Sequence, residues 1–309
     1  MKKIITIYFS YPEAMGYPFD KEYYFTGYQE ITREIERRGV EAYIVRGNSY
    51  QGKGAFSGGW RFENNALTPV DHTIVADLVY NKSNFTDIGL FNDCTVINPP
   101  EFERLCNDKI KTAAFFPELS PKTAPAENYD ALMQTIAGWN LEPTALVVVK
   151  KNFLTEGNGV NILPVEDVKE TLYNEWSNIL VQEFIDSSAG IPGLVAGLHD
   201  LRVTMVDDTI VDSFIRTPAP GKLLANLAQG GACTNIALTN IPPEVTTMVN
   251  HIQKNLAHFG RTIFCADFMN SPNGFKLVEL NSQPGIYPPD WPNEYNPALV
   301  KFLVSMVKK

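Results

Sequence analysis

Apolar runs of strand length alternate with amphipathic stretches along the first third of the chain. Residues 3–9 (Lys-Ile-Ile-Thr-Ile-Tyr-Phe) predict a buried strand, and residues 40–45 predict a second. Between them, residues 26–38 carry helical periodicity, with Thr26 and Gln29 spaced as a capping box and Gly39 as the stop. The stretch 47–69 is rich in Gly, Ser and Asn and predicts a loop or hairpin. Residues 74–80 and 94–97 are again strand-like. A βαβ-like order of this kind predicts a small parallel sheet with covering helices.

Asn98-Pro99-Pro100 breaks the pattern. Residues 101–116 then predict a helix ending near Pro117, Pro121 and Pro125 bracket an extended piece, and residues 128–138 predict another helix. The run 145–151 (Ala-Leu-Val-Val-Val-Lys-Lys) reads as a buried strand, followed by a glycine loop at 155–159, a strand at 160–163, a helix at 166–176 and a strand at 179–185. The last third is more antiparallel. Residues 200–206 and 209–216 flank Asp207-Asp208 as a tight hairpin, and a loop runs from 217 to 231. Val245, Met248, Val249, Ile252, Leu256 and Phe259 repeat at helical spacing over 243–259, which makes them a core stripe. Strands at 262–269 and 275–281, a Pro-rich loop and a helix at 297–307 complete the chain, with no internal repeat.

Composition narrows the function classes. With 309 residues, 44% hydrophobic and 20% charged, the chain has material for two or three structural units around a substantial core. A net charge of −9 argues against an electrostatic grip on nucleic acid. Cys94, Cys106, Cys233 and Cys265 form no C-x-x-C pair and read as buried thiols in a reducing cytoplasm. The basic, apolar N-terminus is interrupted at Ser10-Tyr11-Pro12-Glu13, so it reads as a strand and not a signal peptide. No apolar stretch is long enough to cross a bilayer as a helix.

Three groups of residues carry candidate chemistry. Glu279 and Asn281 share one face of a strand because side chains alternate, and Asp267 joins that face if its strand pairs with theirs. Such an oxygen-rich set suits magnesium bound to nucleotide phosphates. Lys150 leads into Thr155-Glu156-Gly157-Asn158-Gly159, where glycines let backbone N–H groups approach phosphate. Lys151 must face the other way from Lys150, so only one of them enters a cleft. Lys109, Arg202 and Arg216 are spread basic residues suited to clamp a phosphoryl group. Each group alone has a plainer reading: a solvated acidic face, a two-glycine turn, and ion-paired surface bases.

Taken in order, these pieces resemble the ATP-grasp superfamily, and most nearly the bacterial glutathione synthetases and ribosomal-protein glutamate ligases. The resemblance runs from about Asn98 to Pro284. Asn107-Asp108-Lys109 with Thr112 is similar to the entry into the first nucleotide-binding helix, and Lys150 through Gly157 and Gly159 to the second lysine and its flexible loop. Gln182, Glu183, Phe184 and Ile185 resemble the hinge whose backbone reads adenine, and Asp200-Leu201-Arg202 the D-x-R segment. Arg216 through Gly221, Asn226 and Gly230-Gly231 resemble the substrate-covering loop, and Asp267, Glu279 and Asn281 the metal ligands. Two departures stand out: Lys151 follows Lys150 where an apolar residue is usual, and the segment 187–198 is long and glycine-rich, with the acceptor site as the place it would reshape.

The resemblance implies an α+β/α/β chain: an N-terminal Rossmann-like pre-ATP-grasp domain over 1–98, an ATP-grasp lid domain over 99–186, and a C-terminal ATP-grasp domain over 187–309. It implies a carboxylate–amine ligase that works with ATP and Mg2+ (Mn2+ as the alternative ion), joining a carboxylate to an amino acid or peptide amine through an acyl phosphate. Lys109 and Lys150 would then hold phosphates; Arg202 and Arg216 would stabilise the acyl phosphate; Asn226 would bridge metal or phosphate. It also implies a homo-oligomer, no nucleic-acid or membrane partner, and a cytoplasmic location. A small-molecule kinase and a non-catalytic nucleotide-binding protein remain as alternatives. Aromatics at Tyr11, Tyr17, Phe19, Tyr23, Tyr24 and Phe25, and Lys53, Trp60 and Arg61 in the 50–62 stretch, are candidates for substrate contact, with ordinary loop packing as the plainer reading.

Overall fold

The computed structural model describes residues 2–83, 89–154, 157–225 and 230–308. Its first sheet has six strands in the order Ala66–Val70, Gly59–Glu63, Glu41–Arg46, Ile4–Phe9, Leu78–Asn81 and Val96–Ile97. The last four run parallel, and the first two are an antiparallel hairpin added at the edge. That hairpin turns on Asn64 and Asn65, both with positive φ (48° and 63°), which a tight turn requires. Together with the short strands Tyr50–Gly52 and Ala55–Phe56 it gives the polar 47–69 stretch its structure.

The helix Glu22–Arg37 starts four residues before the predicted one. Thr26 lies inside it and donates to the carbonyls of Glu22 (3.0 Å) and Tyr23 (3.2 Å), so it caps nothing; Gln29 reaches Asn65 instead. Burial of Tyr28, Ile31 and Ile35 against Ile5, Ile7 and Ile44 carries the helix, and packing of this kind outweighs a capping signal. The C-terminal helix Tyr295–Val307 closes the same core with Leu299, Val300 and Leu303.

The second sheet, in the order Thr123–Ala126, Ile179–Glu183, Leu146–Lys151 and Val160–Pro164, is antiparallel throughout. Val147, Val149, Ile179 and Val181 pack one face against Leu132 and Ile136 of the helix Tyr129–Gly138. No α-helix forms over 166–176. The chain makes two 3-10 turns, Val165–Asp167 and Glu170–Leu172, which deliver Val168, Leu172, Tyr173 and Trp176 as separate packing groups to this core. Eleven residues of mixed polarity cannot distinguish those two arrangements by periodicity.

The third sheet runs Ala232–Asn235, Thr209–Thr217, Asp200–Val206, Ile263–Ser271 and Gly274–Asn281, again antiparallel. The hairpin predicted at Asp207-Asp208 is present, with Asp207 at φ 58°. The helix Pro243–Leu256 buries Val245, Met248, Val249, Ile252 and Leu256 on one face of this sheet, and Phe259, predicted to end the same helix, follows in the 3-10 turn Ala257–Phe259 and packs there partly buried. The segment predicted as one helix over 101–116 is split into Pro100–Asn107 and Lys109–Phe115. Asp108 at the break has extended backbone angles, and its carboxylate accepts the Lys111 N–H at 3.1 Å, the preferred use of Asp at a helix start. Phe102, Leu105, Cys106 and Phe116 of this helical pair share the third sheet's core.

Asn98 joins the first unit to the third sheet. Its buried amide donates to the carbonyls of Ile263 (2.8 Å) and Ser282 (2.5 Å), and its oxygen accepts from Ile263 N–H (2.7 Å). Replacing it with alanine strands these backbone groups in the core. Asn98→Ala is expected to lower the unfolding free energy by about 1–3 kcal/mol in urea titrations. A loss under about 0.5 kcal/mol, the size of an ordinary surface change, would show that water reaches the junction.

Candidate functional site

A cavity of ≈ 690 Å³ is bounded by the second and third sheets and by the carboxyl ends of strands in the first. Strand alternation places Val148 and Lys150 on its inner wall beside Val160 and Ile162 of the paired strand. The Lys150 ammonium is buried and donates to Gln182 Oε1 at 2.9 Å; Gln182 is held in turn by its Nε2–Thr123 Oγ1 bond, also 2.9 Å. Burial pulls the Lys150 ammonium down to about 8, with Lys109 adding to the fall and Glu279 opposing it. Lys151 points outward to the carbonyls of Glu175 (3.1 Å) and Ser177 (3.2 Å) and over the Tyr173 ring. Past the last ladder pair, Val147 with Glu183, the chain of Phe184 and Ile185 continues along the cavity.

Lys109 enters because Asp108 breaks the helix immediately before it. Its ammonium donates to the carbonyls of Asn152 (3.1 Å) and Leu154 (2.8 Å) and pairs with Glu279 at 3.3 Å. Asn152 ties the same corner together: its Nδ2 donates to Asp108 (2.9 Å), and its oxygen accepts from Ile110 N–H (3.3 Å). The start of the glycine loop is therefore anchored on the helix that carries Lys109. Gly157, at φ 71°, lines the cavity. Gly159 does not; it sits at φ 67° beneath the loop, its carbonyl accepting from Lys151 N–H (3.3 Å) and the Tyr173 hydroxyl (2.9 Å). Thr155 and Glu156 lie outside the described residues.

Register builds the rest of the site. Asp200 lies opposite Arg216, Arg202 opposite Asp267, Asp267 opposite Glu279, and Cys265 opposite Asn281. Asp267, Glu279 and Asn281 thus share the predicted face. Asp267, however, is 2% exposed and accepts both Arg202 Nε and Nη2 at 2.6 Å, with Arg216 Nη2 at 2.7 Å. Burial works to raise this carboxyl, but the two guanidiniums outweigh it and hold Asp267 well below the usual carboxylate range. Arg216 also bridges to Asp200 through Nη2 (2.6 Å) and Nε (3.2 Å). Burial, then the neighbouring Asp267 charge, pushes Asp200 upward against the pull of Arg216 and Arg202.

Glu279 and Asn281 line the cavity, and the Asn281 oxygen accepts from Gln283 N–H at 2.8 Å. Among the described residues no cluster of three or more His, Cys, Asp or Glu forms a ready cation cage. The donor set fits magnesium in its usual mode, with few protein oxygens and the remaining ligands from phosphate and water. Asp267 joins such a set only by giving up an arginine contact. Around the cavity, Lys109, Lys150, Arg202 and Arg216, with Lys82 just past a first-sheet strand, face Glu183, Asp200 and Glu279, and with Asp267 behind the arginines also counted the cations exceed the carboxylates by one. That surplus suits an anionic ligand despite the acidic chain.

Other expectations fall elsewhere: of the four cysteines read as buried, Cys106 and Cys265 are, Cys94 is half-buried, and Cys233 is exposed on the edge strand of the third sheet. Asn226 lies outside the described residues, although Leu223, Leu224 and Ala225 before it line the cavity. Tyr17 and Tyr24 reach the cavity, whereas Phe19 is buried against Phe9 and Tyr28. Lys53, Trp60 and Arg61 do not line it; Arg61 pairs with Glu36 at 2.6 Å because its strand lies at the far edge of the first sheet. The long 187–198 segment also stays away, folding Ile191, Leu194 and Val195 onto the third sheet's core. Sequence reading missed Asn152 and Lys82. Each directly follows the last residue of a buried strand, Lys151 or Asn81, where a polar side chain is a signal worth following.

Known proteins resemble this chain in sequence and in fold. Residues 107–290 match the RimK-like ATP-grasp domain. A probable alpha-L-glutamate ligase 2 of Hahella chejuensis is 31% identical over 170 residues, covering 54% of this chain and 50% of that protein. The chain spans about half the length, or less, of the curated relatives it matches. Among solved structures, the VanG D-Ala:D-Ser ligase from Enterococcus faecalis superposes with a TM-score of 0.67 at 14% identity, over 100% of this chain and 98% of that one. The ATP-grasp ligase PsnB, complexed with a phosphomimetic variant of its minimal precursor, Mg and ADP, gives 0.60 at 14% identity over 100% and 99%. The match covers more than half of the sequence and contains both lysines, the arginine pair and the Glu279–Asn281 strand, so the chain belongs to the RimK-like ATP-grasp family.

Proposed function

We propose that this chain is an ATP-dependent carboxylate–amine ligase. It transfers the γ-phosphoryl group of ATP to a substrate carboxylate, releasing ADP; an amine then attacks the acyl phosphate, forming an amide and expelling phosphate. The observation that carries this reading is the convergence of Lys109 and Lys150, from different elements, with Glu279, Asn281 and the Arg202–Arg216 pair in one cavity. The acid and amine are of amino-acid or peptide type, in keeping with the named relatives. We assign 1–98 to a pre-ATP-grasp domain, 99–186 to the lid and 187–309 to the C-terminal domain. ATP use and four free cysteines fit a reducing cytoplasm, and a homo-oligomer fits family habit. No helix among the described residues is long and apolar enough to cross a membrane.

Phosphoryl transfer needs positioning and charge neutralisation more than covalent help. The adenine would lie against Val148 and Ile162, with the backbone of 183–185 at its edge. Lys150, aimed by Gln182, and Lys109, aimed by the backbone of 152–154, would take the phosphates. Magnesium, or manganese in its place, would neutralise phosphate charge beside Glu279 and Asn281. Arg202 and Arg216 commit Nε and Nη2 to carboxylates, and among the described residues each leaves Nη1 unpartnered for an oxyanion. Leu154 and Gly157 on one side, with Leu223 to Ala225 on the other, would shield the acyl phosphate from water.

ADP release in the presence of Mg2+, across pooled amino acids and dipeptides with hydroxylamine as trap, tests the proposal. Acid-dependent ADP release with hydroxamate formation supports carboxylate activation, and acid-independent release without hydroxamate removes it. Lys150→Ala and Glu279→Gln are each expected to lose at least about a hundredfold in turnover while circular dichroism stays native. Near-normal turnover in either variant withdraws that residue's assignment. The lowered Lys150 gives a pH signature. Above pH about 8 the empty site holds a neutral amine that must regain a proton to meet a phosphate. ADP affinity by calorimetry should therefore be flat below that pH and fall by up to about tenfold per unit above it. Constant affinity across that range would place Lys150 away from phosphate.

A further inference from the structure

Lys82 is a half-buried cation that the phosphate-binding arrangement does not use. It follows Asn81, the last residue of the strand Leu78–Asn81, at the carboxyl end of the parallel strands, where open sheets of this type bind ligands. Its side chain is half-buried and lines the cavity, so its ammonium is reachable from there. One donor goes to the carbonyl of Pro284 at 2.8 Å, and the charge lies 5.7 Å from the centre of the Tyr80 ring. Among the described residues no carboxylate lies within ion-pair distance, and the other two donors have no acceptor. Glu103 is the acid that acts on it through space, but its oxygens accept from Asn81 Nδ2 (3.2 Å) and Gln283 Nε2 (3.4 Å). Burial raises Glu103 to about 7, so it offers only part of a negative charge near neutrality.

The surroundings are closely packed and rich in tyrosine. Gly27 lets the first helix approach the 284–287 turn so closely that a Cβ there would lie 2.7 Å from Ile286 Cδ1 and 2.9 Å from the Tyr287 carbonyl. Tyr287 is held by Asn296 on both sides of its peptide (3.1 and 2.8 Å) and by Asp212 at its hydroxyl. Tyr24, Tyr28 and Tyr287 complete the wall. A doubly charged phosphate calls for several cations or backbone N–H groups. A single ammonium among tyrosine rings matches a singly charged carboxylate on a short apolar stem.

We propose that Lys82 is a specificity-determining residue that binds a free carboxylate of the substrate at the first-sheet end of the cavity, so that acids are accepted there over their uncharged amides. This rests on the ligase reading of the cavity. The test is calorimetry of butyrate against its neutral isostere butyramide, with MgADP present, on the full chain and on Lys82→Met and Lys82→Arg. The wild type is expected to bind butyrate at least about tenfold more tightly than butyramide, the difference one well-placed charge-assisted bond supplies. Lys82→Met should erase the preference and Lys82→Arg should restore part of it, with MgADP affinity unchanged in both. Equal binding of the two probes, no binding of butyrate, or a preference surviving in Lys82→Met would overturn the proposal. MgADP affinity, measured separately on the same proteins, reports on the nucleotide reading: its loss in the wild type defeats that reading, and its retention leaves it standing whichever way the butyrate comparison falls.

Discussion

Burying Asp267 without a partner would cost several kcal/mol, and the third sheet is arranged so that this carboxylate is paired twice. Arg202 reaches it from the strand opposite, and Arg216 reaches it from one strand further while also holding Asp200. Removing one member of such a group leaves an uncompensated buried charge, a loss of about 3–5 kcal/mol. The same contacts fix the guanidinium planes, so their remaining donors face the cavity without a search through rotamers. Four charged side chains across three strands therefore set both the register of the sheet and the direction from which an oxyanion is met.

The two lysines are arranged by a different device. Neither is held mainly by a carboxylate: Lys150 rests on the Gln182 amide, and Lys109 on two carbonyls with Glu279 beyond. Neutral acceptors satisfy an ammonium without cancelling its charge, and a phosphate can therefore displace or join them at small cost. A buried lysine with an amide partner stays attractive to anions, at the expense of a lowered proton affinity.

Much of this was legible in the chain itself. Alternation put Lys150 and Lys151 on opposite faces, the family resemblance picked Lys150 as the inward one, and alternation again put Glu279 and Asn281 on one face. Asp207-Asp208 marked its hairpin, and the 245–256 stripe its helix, because local turn chemistry and a 3.6-residue period decide those elements. What was not legible depended on which segments meet. The capping reading of Thr26 failed because aromatic burial extended the helix past it. The 166–176 stretch failed as a helix because its apolar residues pack one by one. Arginine pairing of Asp267 required the register of three strands, which no single segment encodes.

Asn152 and Lys82 show the same limit at the cavity. Each is a polar residue just past a buried strand, and nothing local separates a loop residue from one that ties distant elements. Their importance appears only when the partners are known: Asp108 and Lys109 for Asn152, Pro284 and the tyrosine wall for Lys82. Both positions join segments far apart in sequence, 44 residues for one and 202 for the other. The end of the cavity that carries Lys109 and Lys150 is thus built from strand registers and the Asn152 tether, and its registers can be read largely from local pattern. The opposite end is built from long-range closure of the first sheet onto the 283–287 turn. The shape of that end is the property a sequence motif conveys least.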